Sequence, residues 1–296
     1  MRPMSLFESG DSSGDVSLFD LMKGSITTKM TGDVSLINLA NFIIRGGWPS
    51  AIGLPMESAA LLPSEYIKLV IDDDFGRLDG KNFRKDKLKL LLRSLARNES
   101  TTVSNSTLKK DIKDIDDEDI DLNTIATYLE AFDRLFLTDQ QLPFNVGMRS
   151  SMRVKQSVKR HFSDPSLAAA LLNATSQSLI DDLKTFGFLF EALCERDLKI
   201  YAESFGASLF HYQDYCENEI DAVIEMPDGS WGAFEIKLGA NQIDKAASNL
   251  TKIKNKMSKD PKGKPPVVLC VITGMSSAAY QRSDGVFVVP ITTLKN

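Results

Sequence analysis

Apolar positions recur along the chain with two different periods, and the change from one to the other divides it. Leu36, Leu39, Phe42 and Ile43 fall at helical spacing, and helical patterns return over 65–74, 81–98, 106–112 and 122–136. The last is the most regular. Ile125, Tyr128, Leu129, Phe132 and Leu135 share one face, and Asp121 or Asn123 is placed to cap its start. A further amphipathic helix, FGFLFEALCERDLKIYA, carries Glu191 among apolar neighbours, and from 208 a period of two takes over. Strands are expected at 208–212, along both arms of 217–238 and at 267–272, with a helix over 243–257 before the last. The pattern predicts a mixed α/β chain, helical in its middle and sheet-forming in its C-terminal half.

Within ENEIDAVIEMPDGSWGAFEIKL, Ile220, Ala222 and Ile224 alternate with Glu219, Asp221, Val223 and Glu225. After the turn, Phe234, Ile236 and Leu238 alternate with Ala233, Glu235 and Lys237. Pro227-Asp228-Gly229 suits a three-residue hairpin loop, with Pro setting the first turn position and Gly the left-handed one. That loop fixes the register, placing Asp221 opposite Glu235 and Glu219 opposite Lys237. Directly opposed residues have Cβ atoms about 4.5–5.5 Å apart, so two carboxylates there repel unless a cation or a proton intervenes. Lys237 supplies part of the charge, and Mg²⁺, which is held by one or two carboxylates with retained waters, would supply the rest. The alternative is a surface ladder of Asp, Glu and Lys worth little energetically.

Other stretches carry punctuation or charge. Arg45-Gly46-Gly47-Trp48-Pro49 marks a sharp loop. In the middle third, helix, short helix, long helix and then LFLTDQQLPF, read as a β-turn-β ribbon, follow the order of a winged helix. Its long helix exposes Asp121, Glu130 and Asp133 against Arg134, a poor match to a DNA groove. The segment 111–121 carries seven acids against Lys113 and is expected to be a solvated loop. Beyond it, Arg149, Arg153, Lys155, Lys159 and Arg160 occur without an acid among them, and Lys252, Lys254, Lys256, Lys259, Lys262 and Lys264 surround only Asp260. Each run is a solvated face or a set of phosphate contacts.

Composition narrows the chemistry. The 296 residues are 43% hydrophobic and 25% charged, as in globular domains, and the net charge of −5 argues against bulk attraction to polyanions. No apolar run approaches the roughly 20 residues of a membrane span, and no apolar leader stands in the first thirty residues. Three widely spaced cysteines, Cys194, Cys216 and Cys270, give no disulfide framework and fit a cytoplasmic setting. With two histidines, a His/Cys zinc site is excluded and any metal would sit on oxygen. No GxxxxGK[ST] occurs, and GDSSG at 10–14 lacks the lysine of a phosphate loop, so the chain has no ATP site.

Helix with Glu191, strand, strand with Asp221, strand with Glu235-x-Lys237, helix and strand resembles the ordered core of the PD-(D/E)XK restriction endonuclease-like fold. YLEAFDRLFLTDQQLPF, RSSMRVKQSVKRHFSDPSLAAALL, FGFLFEALCERDLKIYA and HYQDYCENEIDAVIEMPDGSWGAFEIKLG resemble the C-terminal half, the DUF4143 domain, of a large bacterial family of AAA+ ATPase-like proteins. In that family an ATPase precedes a Gly-Gly-aromatic-Pro junction, a winged-helix-like segment and a PD-(D/E)XK-like domain. The resemblance implies an ATPase remnant over 1–62, a winged-helix-like domain over 63–145 and a nuclease-like domain over 146–296. It further implies Mg²⁺ on Glu191, Asp221 and Glu235, Lys237 assisting the attacking water, and nucleic acid as substrate, contacted by Arg149, Arg153, Lys155, Lys159 and Arg160. An ATPase, lost or separate, would be the partner. The alternative is a non-catalytic regulatory, interaction or DNA-binding module of such an ATPase.

Overall fold

The computed structural model describes residues 2–78, 83–145, 154–260 and 263–296. The helical and alternating patterns separate into two units: Met1–Pro3, Ala40–Gln140 and Ser157–Ala192 form one, while Met4–Leu39, Gln141–Gln156 and Leu193–Asn296 form the other. The first 39 residues fold largely with the C-terminal sheet.

In the helical unit the principal helices are α1 (Leu36–Arg45), α2 (Leu61–Leu69), α3 (Lys85–Arg97), α4 (Asn105–Asp116), α5 (Leu122–Arg134) and α6 (Pro165–Leu171). A long helix, α7 (Leu183–Ser204), crosses the division, as α1 does. Starts are set by side chains that take up orphan backbone N–H groups: Ser104 accepts from Thr107, Asp121 from Asn123 and Thr124, and Asp164 from Ser166. Leu88, Leu91, Leu92 and Leu95 of α3, Leu108 and Ile112 of α4, and Ile125 and Phe132 of α5 are buried along the touching faces.

Two expectations fail in this unit. The acidic run 111–121 is not wholly a solvated loop, because its first half continues α4 and turns Asp111 and Asp116 onto Arg97 of α3, at 2.7 and 2.8 Å. The β-turn-β ribbon after α5 does not form either. Thr138 and Gln140 donate to Asp133, folding the segment back on the end of α5, and Thr138 bridges to Phe162. The glycine pair serves to seat the start of α6. Gly47 N–H donates to Asp164 Oδ2 at 2.9 Å and Trp48 Nε1 to Ser166 Oγ at 2.9 Å. Gly46 has φ +68°, and a Cβ there would lie 2.5 Å from Asp164 Oδ1.

The second unit contains β1 (Val16–Ser17), β2 (Lys29–Met30), β3 (Leu142–Pro143), β4 (Ser208–Gln213), β5 (Glu219–Glu225), β6 (Trp231–Lys237), β7 (Val268–Thr273), β8 (Ala278–Gln281), β9 (Phe287–Pro290) and β10 (Leu294–Lys295). β1 pairs with β10, and the other eight form one mixed sheet in the order β2-β8-β9-β7-β6-β5-β4-β3. β4, β5 and β6 make an antiparallel meander. Helix α8 (Ile243–Met257) then carries the chain across to β7, which lies parallel to β6. Ala246, Ala247, Leu250, Ile253 and Met257 of α8 pack on Val223, Trp231, Ala233, Val271 and Val288 of the sheet. Among the described residues no helix is long and apolar enough to cross a membrane.

Candidate functional site

The β5–β6 hairpin turns through Pro227-Asp228-Gly229, with Gly229 at φ +77° and Met226 N–H donating to Ser230 O at 2.8 Å. Its ladder runs from Glu225↔Trp231 to Ala222↔Phe234, and the same register continued sets Asp221 opposite Glu235. There the strands open: the next inward-pointing amide, Ile236 N–H, donates to Asp221 Oδ2 at 2.7 Å. On the other flank of β5, the register of β4 shifts between Phe210 and Tyr212. Buried Gln141 spans that irregularity by donating to Phe210 O and Asp221 O, at 2.9 and 3.0 Å. Asp221 is thus fixed through both its backbone and its carboxylate.

Asp221 and Glu235 alternate with the residues that pack on the opposite face of the hairpin, so both carboxylates face α8. Lys237 Nζ stands 2.8 Å from Asp221 Oδ2 and 2.7 Å from Glu235 Oε2. Asn249 of α8 donates from Nδ2 to Glu235 Oε1 and to Glu219 O. Asp221 and Glu235 are 8% and 5% exposed, whereas the Lys237 side chain is 28% exposed and opens the cluster to solvent. Burial, and then the neighbouring Asp221 charge, push the Glu235 carboxyl up to about 8. Burial alone would pull the Lys237 ammonium down, but Asp221 and Glu235 carry it above its ordinary value.

Of the four residues expected to form the site, Asp221, Glu235 and Lys237 come together. Glu191 belongs to the helical unit, where its Oε1 is 2.6 Å from Lys159 Nζ. Among the described residues no group of three or more His, Cys, Asp or Glu is arranged to hold a metal. The Asp221–Glu235 pair fits the two-carboxylate, water-rich mode of Mg²⁺. Lys159, expected at a phosphate, is 2% exposed because it is drawn in to Glu191. Arg160 donates to Val103 O and Asn105 Oδ1, and Lys155 pairs with Glu217 at 2.8 Å. Arg149 and Arg153 lie outside the described residues.

Sequence reasoning missed Asn249 and Gln141. Asn249 left a signal, since it is a polar residue on a stripe otherwise made of Ala246, Leu250 and Ile253; Gln141 left none.

Residues 37–178 match the family model of DUF8612, a domain of unknown function. Residues 186–294 match DUF4143. That second family, also a domain of unknown function, is the one the C-terminal motifs resemble, and its match contains β4 to β9, α8 and the whole Asp221–Glu235–Lys237–Asn249 cluster. The segment with the Gly-Gly-Trp-Pro motif and helices α2 to α6 falls instead in DUF8612. No curated protein matches the chain.

Proposed function

We propose that the DUF4143 segment is a Mg²⁺-dependent nuclease-like domain that acts on nucleic-acid phosphodiesters at Asp221, Glu235 and Lys237. The observation that carries this reading is the convergence of two buried carboxylates from adjacent, locally opened strands on one ammonium. Burying opposed carboxylates is costly, and a site that takes up positive charge recovers that cost. The order α7, β4, β5, β6, α8, β7 supports it, being the element order of PD-(D/E)XK nucleases. Asp221 and Glu235 would hold the cation, with Asn249 fixing Glu235 by its Oε1. Bound Mg²⁺ supplies Lewis-acid polarisation of a phosphoryl oxygen and offsets developing charge. Lys237, the exposed member, orients the scissile phosphate or the attacking water by its ammonium.

Calorimetric titration with Mg²⁺ and with Mn²⁺ tests the site: wild type is expected to bind, and Asp221→Ala to lose that binding. Single-stranded DNA, duplex DNA and RNA incubated with wild type and Lys237→Ala test the activity, with cleavage expected only for wild type. Metal binding that is absent, or indifferent to Asp221→Ala, removes the reading.

One observation favours a second reading, a non-catalytic regulatory or interaction module of an ATPase-associated protein. Lys237 already bridges both carboxylates, and Glu191 is held by Lys159. In that case Lys237→Ala destabilises the fold by leaving the two carboxylates facing one another, and metal has no effect.

A further inference from the structure

We propose that a single-stranded nucleic acid lies along the exposed face of α8, its phosphates on Lys252 and Lys259 and one base stacked on Tyr215. This rests on the nucleic-acid reading above and names the surface that delivers substrate to it.

Four observations lead there. First, a groove of about 730 Å³ runs between α8 and the β8–β9 turn, and every side chain lining it is polar, including Lys252, Asn255, Lys256 and Lys259 of α8 and its C-terminal end and Arg282 and Asp284 of the turn. Four of its nine lining residues are basic against two acids, a balance that favours an anion. Its two acids, Asp244 and Asp284, both pair with Arg282, which cancels one of their two charges. Second, among the described residues Lys252 and Lys259 have no ion-pair partner, and both are exposed. Third, the helix that lines the groove also carries Asn249 of the candidate site. At 100° and about 1.5 Å per residue, Lys252 and Lys256 follow Asn249 within a stripe about 60° wide, roughly 4.5 and 10.5 Å further along the axis, and Lys259 stands two residues past the end of α8. Asn249 is the residue that holds Glu235.

The fourth observation decides between a single strand and a duplex. Tyr215 is 66% exposed at the tip of the turn joining β4 to β5. That turn is stiff: Asp214 accepts from Cys216 N–H at 2.8 Å, from Asn218 N–H at 3.0 Å and from Asn218 Nδ2 at 2.7 Å. It is also clamped to the groove, since Asp214 Oδ2 lies 2.6 Å from Lys256 Nζ. An exposed aromatic ring on a turn clamped to a lysine-bearing helix is a combination that can take up an unstacked base and its backbone together. A duplex would leave the ring unused.

The test is fluorescence anisotropy in EDTA with a labelled oligothymidylate of about 15 nucleotides, within the range of single-strand site sizes, and a duplex of equal length as the comparison. Lys252→Ala/Lys259→Ala is expected to weaken single-strand binding at least tenfold and to reduce the slope of log affinity against log salt by about 1.4, the value for two phosphate contacts. Tyr215→Ala is expected to weaken it about tenfold at unchanged salt slope, with Tyr215→Phe binding as wild type. Lys256 is left in place because its loss would bare Asp214. Unaltered affinity in the double-lysine variant, or duplex binding equal to single-strand binding and indifferent to Tyr215→Ala, overturns the proposal. Because EDTA separates binding from cleavage, lysine- and tyrosine-dependent binding without Mg²⁺-dependent cleavage upholds this surface and removes only the catalytic reading. No binding by wild type overturns the surface and leaves the calorimetric test of the metal site standing.

Discussion

Glu235 and Asp214 are both buried carboxylates of the DUF4143 segment, and their surroundings drive them in opposite directions. Glu235, set against Asp221, is pushed from 4.5 up to about 8. The folded protein then keeps a proton that the unfolded chain releases, so this group's contribution to stability falls as pH rises from about 4.5 to 8. Glu235→Gln should abolish that fall, and denaturant unfolding across this range measures it: a variant whose stability declines with pH as steeply as wild type would show that Glu235 is not the group responsible. Asp214 behaves in reverse. Burial alone would raise it, but Lys256, Asn218 and two backbone N–H groups bring it from 3.8 down to about 2. Its contribution, about 2 kcal/mol by linkage, is fully present above 3.8 and is lost as pH falls through 2. Asp214→Asn is therefore expected to cost about that much at neutral pH, with the gap to wild type narrowing as the solution is acidified.

At the scale of elements, what could be read from the sequence was whatever local chemistry decides. The hairpin loop and the pleat are local, so the pairing of Asp221 with Glu235 followed from Pro227-Asp228-Gly229 and the alternation around it. The cap at Asp121 and the span of α8 are local in the same way. What the sequence hid depends on partners distant along the chain. Glu191 is spaced as a ligand should be but meets Lys159, an ion pair across 32 positions; Asp111 and Asp116 look like a solvated loop until Arg97 draws them in. The ribbon after α5 failed because Asp133 offers its oxygens to Thr138 and Gln140. Gly46-Gly47 is the sharpest case, a motif visible as punctuation whose purpose is to receive Asp164 and Ser166 at the start of α6. Gly46→Ala forces a left-handed residue with a Cβ against that carboxylate, so a loss of at least about 1–2 kcal/mol is expected. Gly53, also left-handed but with nothing within 4 Å of its Cβ position, provides the control. If Gly46→Ala and Gly53→Ala lower the melting temperature equally, backbone strain alone accounts for the effect and the Asp164 contact contributes nothing.

At the scale of the molecule, the two family matches and the two folded units largely coincide, and the longest of the departures has consequences. The DUF4143 match begins at residue 186, yet the unit containing it also includes Met4–Leu39. That segment is tied in throughout its length. Leu6 N–H donates to Asp197 Oδ2 at 2.8 Å and Phe7 N–H to the Tyr201 hydroxyl at 3.2 Å, both on α7. β1 pairs with β10, β2 covers β8, and Met22 packs against Gly232 of β6, close enough that a Cβ there would lie 2.8 Å from its sulfur. Leu18 and Leu21 are fully buried in the same unit. A fragment of residues 186–294 alone would expose these contacts, leave β8 as a bare edge and strand the buried Asp197 without the Leu6 amide. It should therefore aggregate or melt without a cooperative transition, and a synthetic peptide spanning residues 4–39 should restore cooperative melting when added to it. Cooperative unfolding of the fragment at the temperature of the full chain, with or without the peptide, would show that DUF4143 folds unaided and that the N-terminal segment only decorates it.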